Sequence, residues 1–252
     1  MLLSFQECNH KKWGRGNKIL KSMKGIIKKF MWEFPSSMVL MFHHVTNIPQ
    51  IQKSNCLVST ANFFSTINKI SDFISCEELF FSKINEYKNK VALTFDDGLA
   101  DVYSIAYQYL KHRNIPFTIF VTVNHIGTDG YITKEQLIEM SKDPLVTIGA
   151  HGLTHNVLVG LLTEQKWKEI YESKIKLEKL TIKKIKLFAY PHGQHDDECR
   201  KMVFKAGYIG AYGVRTFPIN FYSKGWTFHL PRFNVTDEDI EKIDNLISLF
   251  LS

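Results

Sequence analysis

Residues 91–98 read Val-Ala-Leu-Thr-Phe-Asp-Asp-Gly, a short strand pattern that ends in two adjacent carboxylates and a glycine. A run of this kind is typical of a buried strand in a parallel sheet. The glycine permits a sharp turn, so that Asp96 and Asp97 can both reach one site. Two crowded carboxylates repel each other unless a cation or a proton lies between them. The alternative is a plain turn in which an Asp caps the helix that begins near residue 99.

Short apolar runs alternate with helical patterns after residue 35. Predicted strands lie at 37–42, 91–95, 117–123, 146–150, 187–190, 208–214 and 230–235, and predicted helices at 62–74, 99–113, 133–141, 163–180 and 196–206. This alternation predicts βα units and a parallel sheet, either a barrel or an open doubly wound sheet. Polar residues follow at least four of the strands: His43-His44, Asp96-Asp97, His151 and Pro191-His192-Gly193. Convergence on the ends of several strands favours the barrel, because an open sheet gathers its ligand at one switch point.

A second motif, His151-Gly-Leu-Thr-His155, places two imidazoles four residues apart after a predicted strand. With one carboxylate they form a three-ligand metal site that leaves a coordination position for water. Zn²⁺ is the simplest occupant, and other divalent transition metals suit the same ligands. The spacing alone is also compatible with two unrelated loop histidines. The preceding carboxylate pair makes the metal site the stronger interpretation.

The composition is that of one soluble globular α/β domain, with 252 residues, a hydrophobic fraction of 44% and a charged fraction of 23%. The sequence contains no run of about eighteen apolar residues, so a membrane-spanning helix is not expected. No secretory signal pattern is visible at the N-terminus. The cysteines are scattered, without a CxxC pair or a disulfide-framework spacing. They are Cys8, Cys56, Cys76 and Cys199. We therefore expect a reducing, cytoplasmic location.

The net charge of +7 is concentrated in an N-terminal arm over residues 1–35. Eight basic residues and no acid lie between positions 10 and 29. The remaining chain is near neutral, so a nucleic-acid-binding body is not expected. Apolar residues recur at helical spacing over 19–31, which allows two interpretations. A basic amphipathic helix within residues 11–31 can contact an anionic membrane at the inner face, or its apolar stripe can close the bottom of a barrel over 36–252.

Three motifs together resemble the signature of the polysaccharide deacetylase family (NodB homology, carbohydrate esterase family 4). They are TFDDG at 94–98, GAHGLTH at 149–155 and FAYPHG at 188–193. The resemblance extends over about 39–235, most of the chain. It implies a distorted (β/α)7 barrel of the α/β class, one bound divalent metal ion and a substrate that is an N-acetylated carbohydrate. It also implies hydrolysis of the acetyl group of an amino sugar.

The resemblance assigns roles to the motif residues. Asp97, His151 and His155 are the implied metal ligands, and Asp96 is the implied general base, which takes a proton from water activated by the metal. The turn at His192 is the positional match for the backbone N–H that binds the oxyanion. Tyr190, like Trp226, can stack on a sugar ring through its apolar face. An aromatic at a strand end is equally compatible with a place in the core.

The chain departs from the family pattern at three places. Gly152 stands where Ser or Thr usually follows the first histidine, and Ala189 stands where an Arg usually orients the base. Arg232 is the best substitute for that Arg, because a contact with Asp96 would lower the pKa of the carboxyl and fix its rotamer. A surface position for Arg232 is equally compatible with the sequence.

The third departure concerns the general acid. The usual late histidine motif is not found after residue 235, and His229 has unmatched neighbours. The early segment Met41-Phe42-His43-His44 instead resembles the YH motif of the branch that includes poly-N-acetylglucosamine de-N-acetylases. His43 occupies the matching position and has a side chain whose ordinary pKa suits proton donation, while His44 is expected to face solvent.

Two other functions remain open from the sequence: O-deacetylation of an acetylated sugar, and carbohydrate binding by a non-catalytic barrel. A free base such as Asp96 argues against pure binding. The identity of the sugar depends on loops such as 124–131 and 217–225, which carry no readable code. The sequence makes no prediction of the oligomeric state.

Overall fold

The computed structural model describes residues 36–48, 56–81, 89–214, 219–220 and 227–251. Its strands are β1 (Ser36–Phe42), β2 (His44–Val45), β3 (Leu57–Val58), β4 (Val91–Phe95), β5 (Phe117–Val121), β6 (Val146–Ala150), β7 (Leu187–Ala189), β8 (Gly210–Tyr212), β9 (Ile219–Asn220) and β10 (Phe233–Asn234). Within these ranges, seven parallel strands form one curled sheet in the order β10-β1-β4-β5-β6-β7-β8. The short β9 pairs antiparallel with the start of β1, and β2 pairs with β3. The predicted α/β barrel architecture is confirmed.

Helices connect the strands and cover the outer face of the sheet. The α-helical segments are Thr60–Asn68, Glu78–Phe81, Gln108–His112, Lys134–Lys142, Thr163–Trp167, Ser173–Thr181, Asp197–Lys205 and Ile240–Leu251, with π-helical segments at Val102–Tyr107 and Lys168–Glu172. Three of these helices have a side-chain N-cap. Ser59, Thr133 and Asp196 each accept a hydrogen bond from a backbone N–H of the first turn. Most predicted helices are observed, and each occupies the connection between two parallel strands.

Two helix predictions need correction. The helix expected over 62–74 ends at Asn68, because Phe73 pairs with Val91 as an isolated bridge and the intervening chain turns towards the sheet. The C-terminal helix Ile240–Leu251 was not predicted. It buries Ile243, Ile247 and Phe250 against the outer core at the four- and three-residue spacing of an amphipathic helix.

Alternation along the strands separates two cores. Outward-facing residues such as Leu93 and Phe95 of β4 pack against the helices, whereas Ala92 of the same strand belongs to a smaller cluster inside the barrel. The interior cluster includes the large side chains of Phe120 and Tyr212. Gly149 of β6 makes room for one of them, because an added Cβ would lie 2.4 Å from Cδ1 of Phe120.

The barrel is closed by the segment that ends in β10. Leu230 pairs with Tyr212 of β8 through an isolated parallel bridge, and Leu230 N donates to Ala211 O over 2.8 Å. Further along the same segment, Phe233 pairs with Leu40 of β1. Arg232 lies between these two pairings and therefore stands where the two edges of the sheet meet.

Several predictions fall wholly or partly outside this description. The arm at 1–35, with its membrane alternative, lies outside the described residues, as do Trp226 and most of the 217–225 loop. The domain boundary at residue 35 stays a prediction. Within the described part of the chain, no helix combines the length and apolarity needed to cross a bilayer. Cys76 and Cys199 are free and buried, whereas Cys56 is disulfide-bonded. The expected cytoplasmic location stays a prediction.

The close approach of Gly149 and Phe120 leads to a stability prediction. Gly149→Ala should lower the free energy of unfolding by about 1–3 kcal/mol, the usual cost of overpacking a tight core. Urea denaturation measures the change. Adding Phe120→Leu should relieve the clash, so the double variant should be more stable than the sum of the two single effects. Strict additivity would contradict the packing described here.

Candidate functional site

The site lies at the carboxyl ends of the parallel strands, where the backbone ladder continues for one further residue. Asp96 N donates to Phe42 O, His151 N to Val121 O and Tyr190 N to Tyr212 O, each over 3.0 Å. These hydrogen bonds fix the residue that follows β4, β6 and β7 to the neighbouring strand. Asp96, His151 and Tyr190 are therefore placed by the sheet itself.

Asp96 and Arg232 form a bidentate ion pair inside the barrel. Arg232 Nη1 donates to Asp96 Oδ1 over 2.6 Å, and Nη2 donates to Oδ2 over 2.7 Å. Both residues are buried, with exposed fractions of 3% for Asp96 and 1% for Arg232. Arg232 Nε also donates to Gly213 O, and the guanidinium carbon lies 5.4 Å from the centre of the Phe120 ring. The surface alternative for Arg232 is therefore excluded.

The charge of Arg232 keeps Asp96 ionised. Burial raises the pKa of the Asp96 carboxyl, but the Arg232 guanidinium and the nearby His151 outweigh burial, so the pKa lies below its usual range. Fork-to-fork pairing also restricts the rotation of the carboxylate. The arrangement yields a fixed, negatively charged oxygen acceptor at the mouth of the barrel.

Asp97, His151 and His155 converge beside this pair. Asp97 Oδ1 lies 3.4 Å from His151 Nε2 and 3.0 Å from His155 Nε2. One ligand atom from each residue lies within 4.8 Å of the others. Asp97 and His155 adopt left-handed backbone conformations, with φ of 72° and 63°. Such conformations are uncommon for residues other than glycine and occur where the surrounding structure enforces them.

The three side chains suit a divalent cation. Nδ1 of His151 lies 2.8 Å from Ala189 O, so a proton on Nδ1 leaves the lone pair of Nε2 facing Asp97. Asp97 Oδ1 is buried and accepts no hydrogen bond from any described residue. Burial raises the pKa of Asp97, but the two facing histidines lower it well below its usual range. One carboxylate and two imidazoles directed at a common point are a typical ligand set for Zn²⁺ and related metals.

The two early histidines lie in different surroundings. His43 is buried, with an exposed fraction of 5%, and its charge lowers the pKa of both Asp96 and Asp97, which places it on the side of the carboxylates. His44 does not face solvent as expected. Its Nδ1 lies 2.7 Å from Asp101 Oδ2, because the start of the helix after β4 packs against β2. The rival acid His229 lies beside His195, with ring centres 5.6 Å apart.

The segment after β7 contains the remaining predicted residues. Tyr190 is fully buried, and its hydroxyl donates to Phe228 O over 2.8 Å, so it has no exposed face for stacking on a sugar. His192 is half-buried and left-handed, with φ of 56°. Its ring centre lies 4.6 Å from that of His155, and burial followed by the charge of His155 lowers its pKa. The turn at His192 thus borders the cluster of Asp97, His151 and His155.

Sequence reasoning missed several neighbours of the site. Glu169 hydrogen-bonds the loop between the two histidines, and Asp101 pairs with His44. On the side of the loop that follows β5, His125 and Tyr131 stack with ring centres 4.5 Å apart. Burial and the charge of Asp97 raise the pKa of Tyr131 to about 12. Asp101 lies about one helical turn after Asp97 in the sequence, and this spacing was a usable signal for it. No motif marks the other residues.

A comparison with known families assigns the chain. The sequence model described as polysaccharide deacetylase matches residues 83–211, just over half of the chain. The chain therefore belongs to the polysaccharide deacetylase family. The resemblance drawn from the three motifs is confirmed.

Individual relatives cover different shares of the chain. The Bacillus subtilis (strain 168) protein YxkH is 34% identical over 128 residues, which cover 51% of this chain and 45% of that protein. This chain thus spans less than half the length of that relative. A poly-beta-1,6-N-acetyl-D-glucosamine N-deacetylase of Staphylococcus aureus (strain MSSA476) is 26% identical over 252 residues, which cover 86% of this chain and 84% of that enzyme.

Solved structures share the fold. The deacetylase PplD of Streptococcus pyogenes, solved in complex with acetate, has a TM-score of 0.75 at 23% identity and covers 86% of this chain and 99% of its own. IcaB of Ammonifex degensii has a TM-score of 0.74 at 21% identity, with 86% and 98% covered. These likenesses confirm the distorted (β/α)7 barrel.

The buried ion pair leads to a second stability prediction. Arg232→Met should lower the free energy of unfolding by about 3–5 kcal/mol, because it leaves the Asp96 charge buried and unpaired. Adding Asp96→Asn should recover part of that loss, since the uncompensated charge is removed. Denaturant unfolding of both variants provides the measurement.

A surface ion pair supplies the control. Lys186 Nζ lies 2.7 Å from Glu77 Oε2, with side chains that are 40% and 27% exposed. Lys186→Met should therefore cost no more than about 1 kcal/mol. A loss for Arg232→Met as small as this control would show that the buried pair does not have the strength assigned to it.

Proposed function

We propose that the protein is a metal-dependent de-N-acetylase that hydrolyses the acetyl groups of a poly-N-acetylglucosamine glycan. The observation that carries the proposal is that two adjacent carboxylates have different partners. Asp96 is ionised and paired with Arg232, while Asp97 faces two imidazoles. The name and coverage of the Staphylococcus aureus relative support the choice of glycan.

The metal-ligand roles follow from the donor atoms. Asp97, His151 and His155 would hold one divalent ion, with Zn²⁺ the simplest occupant. Such an ion, when bound, polarises a carbonyl group and lowers the pKa of water towards ~7. The hydrogen bond between His151 Nδ1 and Ala189 O orients one ligand ring. The backbone hydrogen bond from His151 N to Val121 O fixes the same residue beside β5.

Asp96 is assigned as the general base. Its pKa below the usual range keeps it unprotonated at neutral pH, and a buried carboxylate held by Arg232 accepts a proton from the attacking water without changing rotamer. Asp96 Oδ2 lies 3.8 Å from His151 Nε2, so the base and the metal ligands adjoin one reaction point. Ala189 stands where the family usually has an arginine, and we assign the role of that arginine to Arg232.

The other two roles are assigned to His192 and His43. The backbone N–H of His192, at a left-handed turn beside His155, is assigned to the developing oxyanion. His43 is assigned as the general acid that protonates the departing amine. It directly follows β1, which pairs with β4, the strand that ends beside Asp96 and Asp97.

The first test is acetate release from β-1,6-linked N-acetylglucosamine oligomers in the presence of Zn²⁺ or Co²⁺. The wild-type protein should release acetate, and Asp96→Asn should lower kcat by about 10²- to 10⁴-fold, because the base is lost. Asp72→Asn, which changes an exposed carboxylate beside the start of β4, at the opposite end of that strand from Asp96, is the matched control and should keep the wild-type rate. Wild-type protein that binds the oligomer without releasing acetate would support the carbohydrate-binding alternative instead.

A second test separates amide from ester hydrolysis. His43→Gln should slow acetate release from an N-acetylated oligomer by about 10²- to 10⁴-fold. It should slow release from an O-acetylated sugar much less, since an alkoxide needs less help from an acid than an amine does. His112→Gln, at an exposed helix end, serves as the control. Equal losses on both substrates would remove His43 from the role of acid.

A further inference from the structure

Glu169 holds the loop that joins the two histidines. Its Oε2 accepts hydrogen bonds from Leu153 N over 2.8 Å and from Thr154 N over 3.0 Å. Its Oε1 accepts from Thr154 Oγ1 over 2.6 Å. The residue is buried, with an exposed fraction of 7%, and lies in the π-helical segment Lys168–Glu172. Three hydrogen bonds to one buried carboxylate make this the main side-chain anchor of the loop.

Gly152 fits this anchor. Its φ is +79°, and an added Cβ would lie 3.0 Å from Glu169 Oε2. A side chain at position 152 would therefore be strained and would press against the carboxylate. The Ser or Thr that the family resemblance leads one to expect here is replaced by a glycine, and Glu169 fills the adjacent space.

The opposite side of the loop is held by the chain that follows β5. Val123 N donates to Gly152 O over 3.2 Å, and Asn124 N donates to Leu153 O over 2.9 Å. The loop is thus fixed between this backbone and Glu169. Immediately after it comes His155 in its left-handed conformation, which directs the imidazole towards Asp97.

We propose that Glu169 is a positioning residue for the metal site, which sets the geometry of His151 and His155 through the loop between them. The inference rests on the metal site of the proposed function. A left-handed histidine is retained only where its surroundings enforce that backbone. Without the carboxylate, the peptide groups of Leu153 and Thr154 lose their hydrogen-bond acceptor and can reorient. The imidazole of His155 then moves away from that of His151.

Zinc affinity tests the inference without any measurement of deacetylase activity. In competition with a chromophoric chelator, Glu169→Ala should weaken Zn²⁺ binding by about 10- to 100-fold, the usual effect of losing a group that supports a ligand. Glu169→Gln keeps an oxygen acceptor and should weaken binding less. The visible spectrum of bound Co²⁺ should change in Glu169→Ala, since the ligand geometry changes.

Glu172→Gln is the matched control, because Glu172 lies in the same π-helical segment and, among the described residues, makes no hydrogen bond to this loop. It should keep the wild-type affinity and Co²⁺ spectrum. The metal-free Tm of every variant is measured alongside, to show that each one is folded. If Glu169→Ala does not fold, Thr154→Val removes only the contact to Oε1 and should weaken Zn²⁺ binding by about tenfold.

The outcomes separate this inference from the proposed function. Folded Glu169→Ala with wild-type affinity and spectrum would overturn the positioning role and leave the metal site intact. Wild-type affinity in Thr154→Val, where Glu169→Ala is unfolded, would also overturn it. Wild-type protein that binds no Zn²⁺ would overturn the metal site itself, and the positioning role with it.

Discussion

Asp96 and Asp97 bring two negative charges to adjacent positions at the end of β4, where little water reaches them, and the structure compensates each charge differently. Arg232 satisfies Asp96 with two short hydrogen bonds. Asp97 faces His151 and His155, and its buried Oδ1 accepts no hydrogen bond from the described part of the chain. The first carboxylate is therefore neutralised by the protein, while the second suits an added cation. This difference is the basis for the proposed division of roles, with Asp96 as the base and Asp97 as a metal ligand.

The closure of the barrel brings the counter-charge to Asp96. Arg232 reaches Asp96 because it lies in the segment that joins β8 to β1 and closes the sheet. Gly149 makes room beside Phe120, whose ring lies close to the Arg232 guanidinium. The closing segment is thus at once the last part of the barrel and the source of the counter-charge. The loop between His151 and His155 is held separately, by hydrogen bonds from the backbone after β5 and to Glu169.

The sequence predicted the strands and the ends where polar residues gather, because apolar runs and strand periodicity are local properties. It also brought Asp97, His151 and His155 together as one group. Contacts between distant segments were less accessible. Arg232 could be a partner of Asp96 or a surface residue on sequence alone, and only barrel closure decides the matter. The pairing of His44 with Asp101 and the hydrogen bonds of Glu169 likewise depend on how helices pack on the sheet.

The central claim, that Asp97 binds a metal while Asp96 is left free as the base, is tested most directly by the metal content of purified protein. Wild type, Asp96→Asn and Asp97→Asn are loaded with Zn²⁺, dialysed and analysed for zinc per chain. The account predicts one ion per chain in the wild type and in Asp96→Asn, and loss of the ion in Asp97→Asn. Equal loss in both variants, or full retention in Asp97→Asn, would contradict the division of roles between the two carboxylates.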